Sequence, residues 1–171
     1  PLSYGKFAAL RSQYMNENIK PGMPTQAYAV IVDDKLIGCY ALQKAYKVPG
    51  ASADAVYLLS DFPVAPTDYT RLAKLVLYAA QSKEARLLAE RVCKTRVRTL
   101  VTTAFSNHPV SMKYRGLFEL QSRKDAGAKS EHKFQLQYIS EAGRLTLAEG
   151  LAEWKRKHGS RLAPNDSTRE G

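Results

Sequence analysis

The chain has 171 residues, of which 44% are hydrophobic and 25% charged. That length and mix suit one globular domain with a core of its own, and no run of about 18 apolar residues is present to span a membrane. The formal net charge is +10, from 26 Lys+Arg against 16 Asp+Glu, a balance that favours a phosphate polymer as partner over an anionic membrane, because no helix pairs a basic face with a broad exposed apolar one.

Lys6 to Asn16 reads as a short amphipathic helix with Phe7, Leu10 and Tyr14 on one face, broken by Pro21-Gly22-Met23-Pro24. Ala27 to Val32 and Lys35 to Tyr40 form a hairpin turned at Asp33-Asp34. Ala55 to Leu59 is apolar throughout and reads as a central strand, ending at Ser60-Asp61-Phe62-Pro63. A long helix follows, with Thr67 or Asp68 as N-cap and Leu72, Leu75, Val76 and Ala79 on one face. Its pattern slips near Ser82-Lys83, which marks a bend or a split. Thr99 to Phe105 is a buried strand, stopped by Ser106-Asn107-His108-Pro109. A short helix is expected over 109–115, a strand over 117–122 and an exposed loop over 123–133. Phe134, Leu136 and Tyr138 alternate with glutamines in a strand with one wet face. Thr146-Leu147-Ala148-Glu149 is a capping box for a last helix carrying Leu147, Leu151 and Trp154 and ending near Gly159. The expected architecture is α/β: a mixed, mostly antiparallel sheet flanked by helices, with residues 1–159 as one domain and 160–171 as a polar, frayed tail.

Cys39 and Cys93 sit in apolar stretches and form no CxxC pair. They read as buried free thiols, which fits a reducing, cytoplasmic setting better than secretion. The chain starts at Pro1, which suggests a processed or trimmed start, and it carries no secretory signal. His108, His132 and His158 have no metal-ligand spacing, so no metal is expected. No GxSxG, GxGxxG or GxxxxGK[ST] occurs.

The strand-to-helix junction from Ala55 to Ala80 offers free helix N–H groups to an anion, with Arg71 and Lys74 as added charge. Read as structure alone, the helix covers the sheet and both side chains are solvated. Three basic clusters suit a nucleic acid: residues 83–98, which include Lys94 and Arg96; residues 113–133, which include Lys113, Arg115, Arg123 and Lys124; and Lys155-Arg156-Lys157. Each is equally a solvated face. Tyr40, Tyr46, Tyr57 and Tyr69 could offer stacking surface to a flipped base, although tyrosines more often simply pack.

The segment Asn107-His108-Pro109-Val110-Ser111-Met112-Lys113-Tyr114-Arg115-Gly116-Leu117-Phe118 resembles the GNAT acyltransferase superfamily. In that superfamily an Asn, a small residue, a Tyr and a Gly-Phe pair follow the corresponding strand. Asn107, Ser111, Tyr114, Gly116 and Phe118 fit, with one extra residue before Phe118. The GNAT pyrophosphate loop has Gln or Arg, then two small residues further on. Here Arg71-Leu72-Ala73-Lys74-Leu75-Val76 keeps the Arg and loses both small residues. Ser60-Asp61-Phe62-Pro63 followed by Asp68-Tyr69-Thr70-Arg71 is similar to the phage Mom DNA-modification proteins, which have an acidic, Pro-containing strand end and then an Arg. Those proteins usually carry an acidic residue where Ser106-Asn107 stand here.

This resemblance implies a transferase that modifies adenine in double-stranded phage DNA with a carbamoylmethyl- or acyl-type group and so blocks restriction. It implies acetyl-CoA or another acyl-type donor, held by Arg71, Lys74 and Thr70. It implies a catalytic set of Asp61 as base or amine orienter, Tyr114 as general acid, Ser60 and Asn107. Arg115 would meet the donor's anion or a DNA phosphate. As plain structure, Tyr114 is a half-buried packing residue and Asp61 a loop or cap carboxylate. Two other functions compete: a nucleic-acid-binding module without transferase activity, and a conventional N-acetyltransferase acting on a small amine or protein. The oligomeric state is open.

Overall fold

The computed structural model describes residues 1–15, 22–45, 50–64 and 71–159. The elements in chain order are α1 (Tyr4–Tyr14), β1 (Gln26–Val32), β2 (Lys35–Lys44), β3 (Ala55–Pro63), α2 (Leu72–Ala80), α3 (Lys83–Cys93), β4 (Thr99–Ser106), β5 (Glu119–Asp125), β6 (Phe134–Glu141) and α4 (Leu147–His158). The sheet order is β1-β2-β3-β4-β6-β5. Every pairing is antiparallel except β3 with β4. This is the mixed, mostly antiparallel GNAT-like layout expected from the chain.

Period-two alternation on β2 puts helices on both faces of the sheet. Tyr40 and Leu42 join the large cluster under α2, whereas Cys39 and Ala41 meet Phe7 of α1 on the other side. Both cysteines are buried and free. α2 is buried nearly all round, through Leu72, Leu75, Val76, Leu77, Tyr78, Ala79 and Ala80. Gly38 makes that burial possible. A side chain there would overlap the Phe62 carbonyl oxygen and come within 2.5 Å of Val76 Cγ2, so only glycine lets α2 lie this close to the strand pair.

The long helix is split where its pattern slips. Ser82 donates to the Ala79 carbonyl at 2.7 Å and accepts from the Ala85 N–H at 3.1 Å, so one hydroxyl ends α2 and caps α3. The N-cap residues expected for α2, Thr67 and Asp68, lie outside the described residues. Arg71 occupies the cap of the described helix, at φ 88° and with no side-chain cap bond. The capping box at Thr146 and Glu149 is formed.

Four expectations need correction. Residues 109–115 form no helix but a pair of turns, closed by N–H donation from Tyr114 to Ser111 and from Leu117 and Phe118 to Tyr114. Gly116 follows at φ 82°, a backbone angle that ends any helical run. β5 starts at Glu119 and extends through Arg123 and Lys124, because its cationic side chains project from an edge strand and need no burial. On α1, Tyr14 is 40% exposed and Arg11, four residues after Phe7, is the buried partner. Leu147 is also exposed, leaving Trp154 as the buried anchor of α4.

Candidate functional site

β3 and β4 pair only at Ala55–Thr99, Val56–Leu100 and Tyr57–Val101. Just past that seam the register of β3 on β2 slips by one residue at Leu59, a bulge that bends β3. The two strands then part, and a cavity of about 390 Å³ opens between them, lined by Arg11, Tyr57, Ser60, Asp61, Thr102, Phe105, Lys113, Tyr114 and His132 among others. The Thr102 hydroxyl donates to the Leu58 carbonyl at 2.9 Å and ties the fork at its base.

Asp61 is the centre of the cleft and only 4% exposed. The Tyr114 hydroxyl donates to its Oδ1 at 3.0 Å. The Lys113 ammonium forms an ion pair with Oδ2 and donates to the Asp61 carbonyl at 2.8 Å. The Tyr114 ring is clamped edge-on by Phe118 at 5.4 Å and tilted against Tyr138 at 4.9 Å. Burial, the Asp61 charge and the Asp61 hydrogen bond, in that order, hold the Tyr114 phenol well above its usual range. It therefore stays protonated at neutral pH and donates a hydrogen bond to Asp61. The ring packs against its neighbours and the hydroxyl faces the cleft.

The turn that carries these residues is anchored from behind. Gln81, at the α2–α3 junction, donates to the Leu117 carbonyl at 2.8 Å. The Tyr138 hydroxyl accepts the Ser111 N–H at 2.7 Å.

A second cavity, of about 610 Å³, lies on the other side of Lys113 and is lined by Arg71, Ala73, Lys74, Met112, Lys113 and Arg115. Four of these six carry positive charge. Lys74 donates to the Arg115 carbonyl. Its ammonium is pushed below its usual range chiefly by burial and then by the neighbouring charges of Arg71, Lys157 and Arg115. The Trp154 indole N–H donates to the Arg71 carbonyl at 3.1 Å and fixes the cap where the cavity begins. The residues present suit a phosphate-bearing donor held by side-chain cations. They do not form a glycine cradle for backbone contact, because Lys74 and Val76 stand where the two small residues would, and Val76 is a core residue of α2.

The expected site residues therefore sort cleanly. Asp61, Ser60 and Tyr114 come together in the cleft, although the Ser60 hydroxyl points to the Met15 sulfur at 3.5 Å. Arg71 and Lys74 come together with Arg115 in the basic cavity, and Thr70 lies outside the described residues. Asn107 is not brought to the cluster. It is exposed, and its Oδ1 accepts the Lys133 N–H at 3.1 Å, pinning the end of β4 to the start of β6. Lys113, expected on a nucleic-acid surface, is instead the ion-pair partner of Asp61. Tyr40 is 5% exposed and stacked on Tyr28 at 5.2 Å, so it offers no surface to a base. Tyr57 lines the cleft, while Tyr46 and Tyr69 lie outside the described residues.

Two of the basic clusters lie at opposite ends of the sheet. Arg123 and Lys124 pair with Leu136 and Gln135 of β6, which pair with Ala104 and Phe105 of β4. They stand level with the cleft, two strands away, or roughly 10 Å. Lys94 and Arg96 precede Thr99 and lie at the entry of β4, roughly a full eight-residue strand, about 25 Å, from its cleft end. Sequence reasoning missed Arg11, Gln81 and the Lys113 pairing. The one available signal was Arg11 standing four residues after Phe7.

Among the described residues no helix is long and apolar enough to cross a membrane. No curated protein matches the chain. Solved structures similar to it include a probable acetyltransferase from Staphylococcus epidermidis ATCC 12228, at 16% identity and a TM-score of 0.40, covering 67% of this chain and 66% of that one. The chain thus spans just under two thirds of the staphylococcal protein. Another is the aminoglycoside 6'-N-acetyltransferase from Enterococcus faecium, at 12% identity and a TM-score of 0.40, covering 67% of this chain and 71% of that one. The sequence model of a phage GNAT-like domain matches residues 1–159, and the chain belongs to that family.

Proposed function

We propose that this protein transfers an acyl- or carbamoylmethyl-type group to an exocyclic amine of a DNA base, adenine N6 in the reading that resembles the Mom proteins, and so shields phage DNA from restriction. GNAT-type acyl transfer is the coarser reading, and family membership supports it. The observation that carries the finer one is the joining of three features at one end of the sheet: the Asp61–Tyr114 pair, the basic cavity beside it and the cationic edge at Arg123 and Lys124.

The donor's anionic part lies in the basic cavity, held by Arg71, Lys74 and Arg115, and its reactive carbon reaches the cleft past Lys113. The base amine enters from the open side of the fork. As nitrogen attacks, its proton passes to the Asp61 carboxylate. The leaving group takes the Tyr114 proton, and the 3.0 Å hydrogen bond between the two side chains lets Asp61 return a proton to the phenolate. Lys113 keeps positive charge on the wall between the two cavities, where negative charge develops.

Nucleoside mass spectrometry of plasmid DNA from cells expressing the chain tests this reading. A new adenosine-derived mass supports it and identifies the group. A shifted pyrimidine keeps the class and changes the base. Unmodified DNA from folded, well-expressed protein returns the chain to a nucleic-acid-binding or small-amine role.

A further inference from the structure

The segment from Phe105 to Met112 runs past the cleft, which Phe105 and Ser111 line, and reaches the basic cavity at Met112, and it is unusually apolar for so exposed a stretch. Phe105 is 47% exposed, Val110 46% and Met112 60%. Single exposed apolar side chains are ordinary. Three within eight residues, one lining a cleft with a buried carboxylate and two flanking its Ser111, are a local feature that calls for an occupant. The neighbours restrict its chemistry. Lys113 and Arg115 follow directly, Lys124 is level with Phe105 through Gln135, and Lys133 is tied to the same end of β4 through Asn107. Apolar side chains ringed by cations suit a polymer with phosphates outside and stacked bases inside.

The segment is held in shape rather than floppy. Ser111 donates its N–H to Tyr138, His108 donates to the Ser106 hydroxyl at 3.0 Å, and the Arg115 guanidinium approaches the Met112 sulfur at 3.9 Å. Phe105 lies near-parallel to His132, with ring centroids 6.4 Å apart and planes 28° from parallel, which backs the phenyl ring on one side. A backbone held this way loses little freedom on contact. There is also a need for such a device. Asp61 is 4% exposed inside the cleft, and a base still paired within a duplex cannot bring its amine there.

We propose that Val110 and Met112 act as a wedge that enters the base stack of duplex DNA, while Phe105 receives the displaced base at the mouth of the cleft. This rests on the reading of the chain as a DNA-modifying protein. The wedge fills the gap that the departing base leaves, and the exposed Lys124 and Lys133 hold the flanking phosphates.

Fluorescence anisotropy with three labelled 20-mers tests it: a fully paired duplex, the same duplex with one central mismatch, and the single strand. The full chain is compared with the V110A/M112A double variant and with F105A, after circular dichroism confirms that each is folded. The wild type is expected to bind the mismatched duplex more tightly than the paired one, because part of the opening cost is already met. V110A/M112A should lose about tenfold or more on the paired duplex, keep its salt dependence and keep its affinity for the single strand. F105A should lose affinity for all three, by roughly tenfold. Salt-dependent binding with the double variant equal to wild type, or weakened alike on duplex and single strand, overturns the wedge and leaves the nucleic-acid reading intact. Failure of the wild type to bind any of the three at low salt overturns both.

Discussion

Tyr114 shows how far one side chain can be specified by its surroundings. Its ring is locked by Phe118 and Tyr138, and its hydroxyl has Asp61 as partner. Tyr114→Phe keeps the ring and deletes the proton, so the fold should survive while turnover falls by roughly 10²–10⁴-fold, measured as modified nucleoside per unit time. The same variant has a second signature. Because the folded-state phenol lies above its unfolded value, the folded chain keeps this proton where the unfolded chain releases it. That contribution to stability is complete below about pH 10 and fades as pH rises through the raised value. Thermal melts between pH 9 and 11 should therefore fall less steeply for Tyr114→Phe than for the wild type. Lys113→Met should behave differently. It leaves the Asp61 carboxylate buried without its cation, at a cost of about 1–3 kcal/mol that a denaturant melt at pH 7 would reveal.

Among the elements, α2 and β2 depend on one another through Gly38. Gly38→Ala places a methyl group against Val76 and the Phe62 carbonyl, and that carbonyl belongs to the strand that carries Asp61. Overpacking at such a point costs roughly 1–3 kcal/mol, which for a chain of this size lowers Tm by about 2–10 °C. A variant with an unchanged Tm would show that α2 does not need this approach. What was legible at this scale was the local chemistry. Ser82 splits a helix because its hydroxyl serves two helix ends, and Thr146 with Glu149 closes a box within four residues. The turns at 109–118 were not legible. Pro109 allows a helix start, but their shape is set by Tyr138 and Gln81, from a strand and a helix junction elsewhere in the chain.

For the whole molecule, the +10 charge describes an amount and the sheet order describes a place. The sequence lists Lys94 and Arg96 beside Arg123 and Lys124 as equivalent clusters. Register separates them, because β5 pairs outside β6 and returns its cations to the cleft end. Arg123→Ala with Lys124→Ala should weaken duplex binding and reduce the slope of log K against log salt by up to about 2, since each phosphate contact contributes roughly 0.9. Lys94→Ala with Arg96→Ala should leave that slope near the wild-type value, and an equal loss from both pairs would refute the division. The candidate site was legible to the same extent. Asp61, Tyr114 and Arg71 stand in recognisable local motifs. The pairing of Lys113 with Asp61, 52 residues apart, and the burial of Arg11 are products of the fold alone.

The three-pair seam between β3 and β4 also bears on how the chain reaches this shape. β1, β2 and β3 form a meander whose partners are near neighbours in sequence, and β5 and β6 are adjacent as well. The seam joins residues 55–57 to 99–101, so α2, α3 and everything between must be looped out before it can close. Contacts of that separation are the slow ones in a folding reaction. The two halves of the sheet can therefore assemble first as independent leaves, and the cleft comes into being only when they meet. Hydrogen exchange during refolding should find the amides of the β1–β2 and β4–β6 pairs protected before those that bond across the seam between residues 55–57 and 99–101.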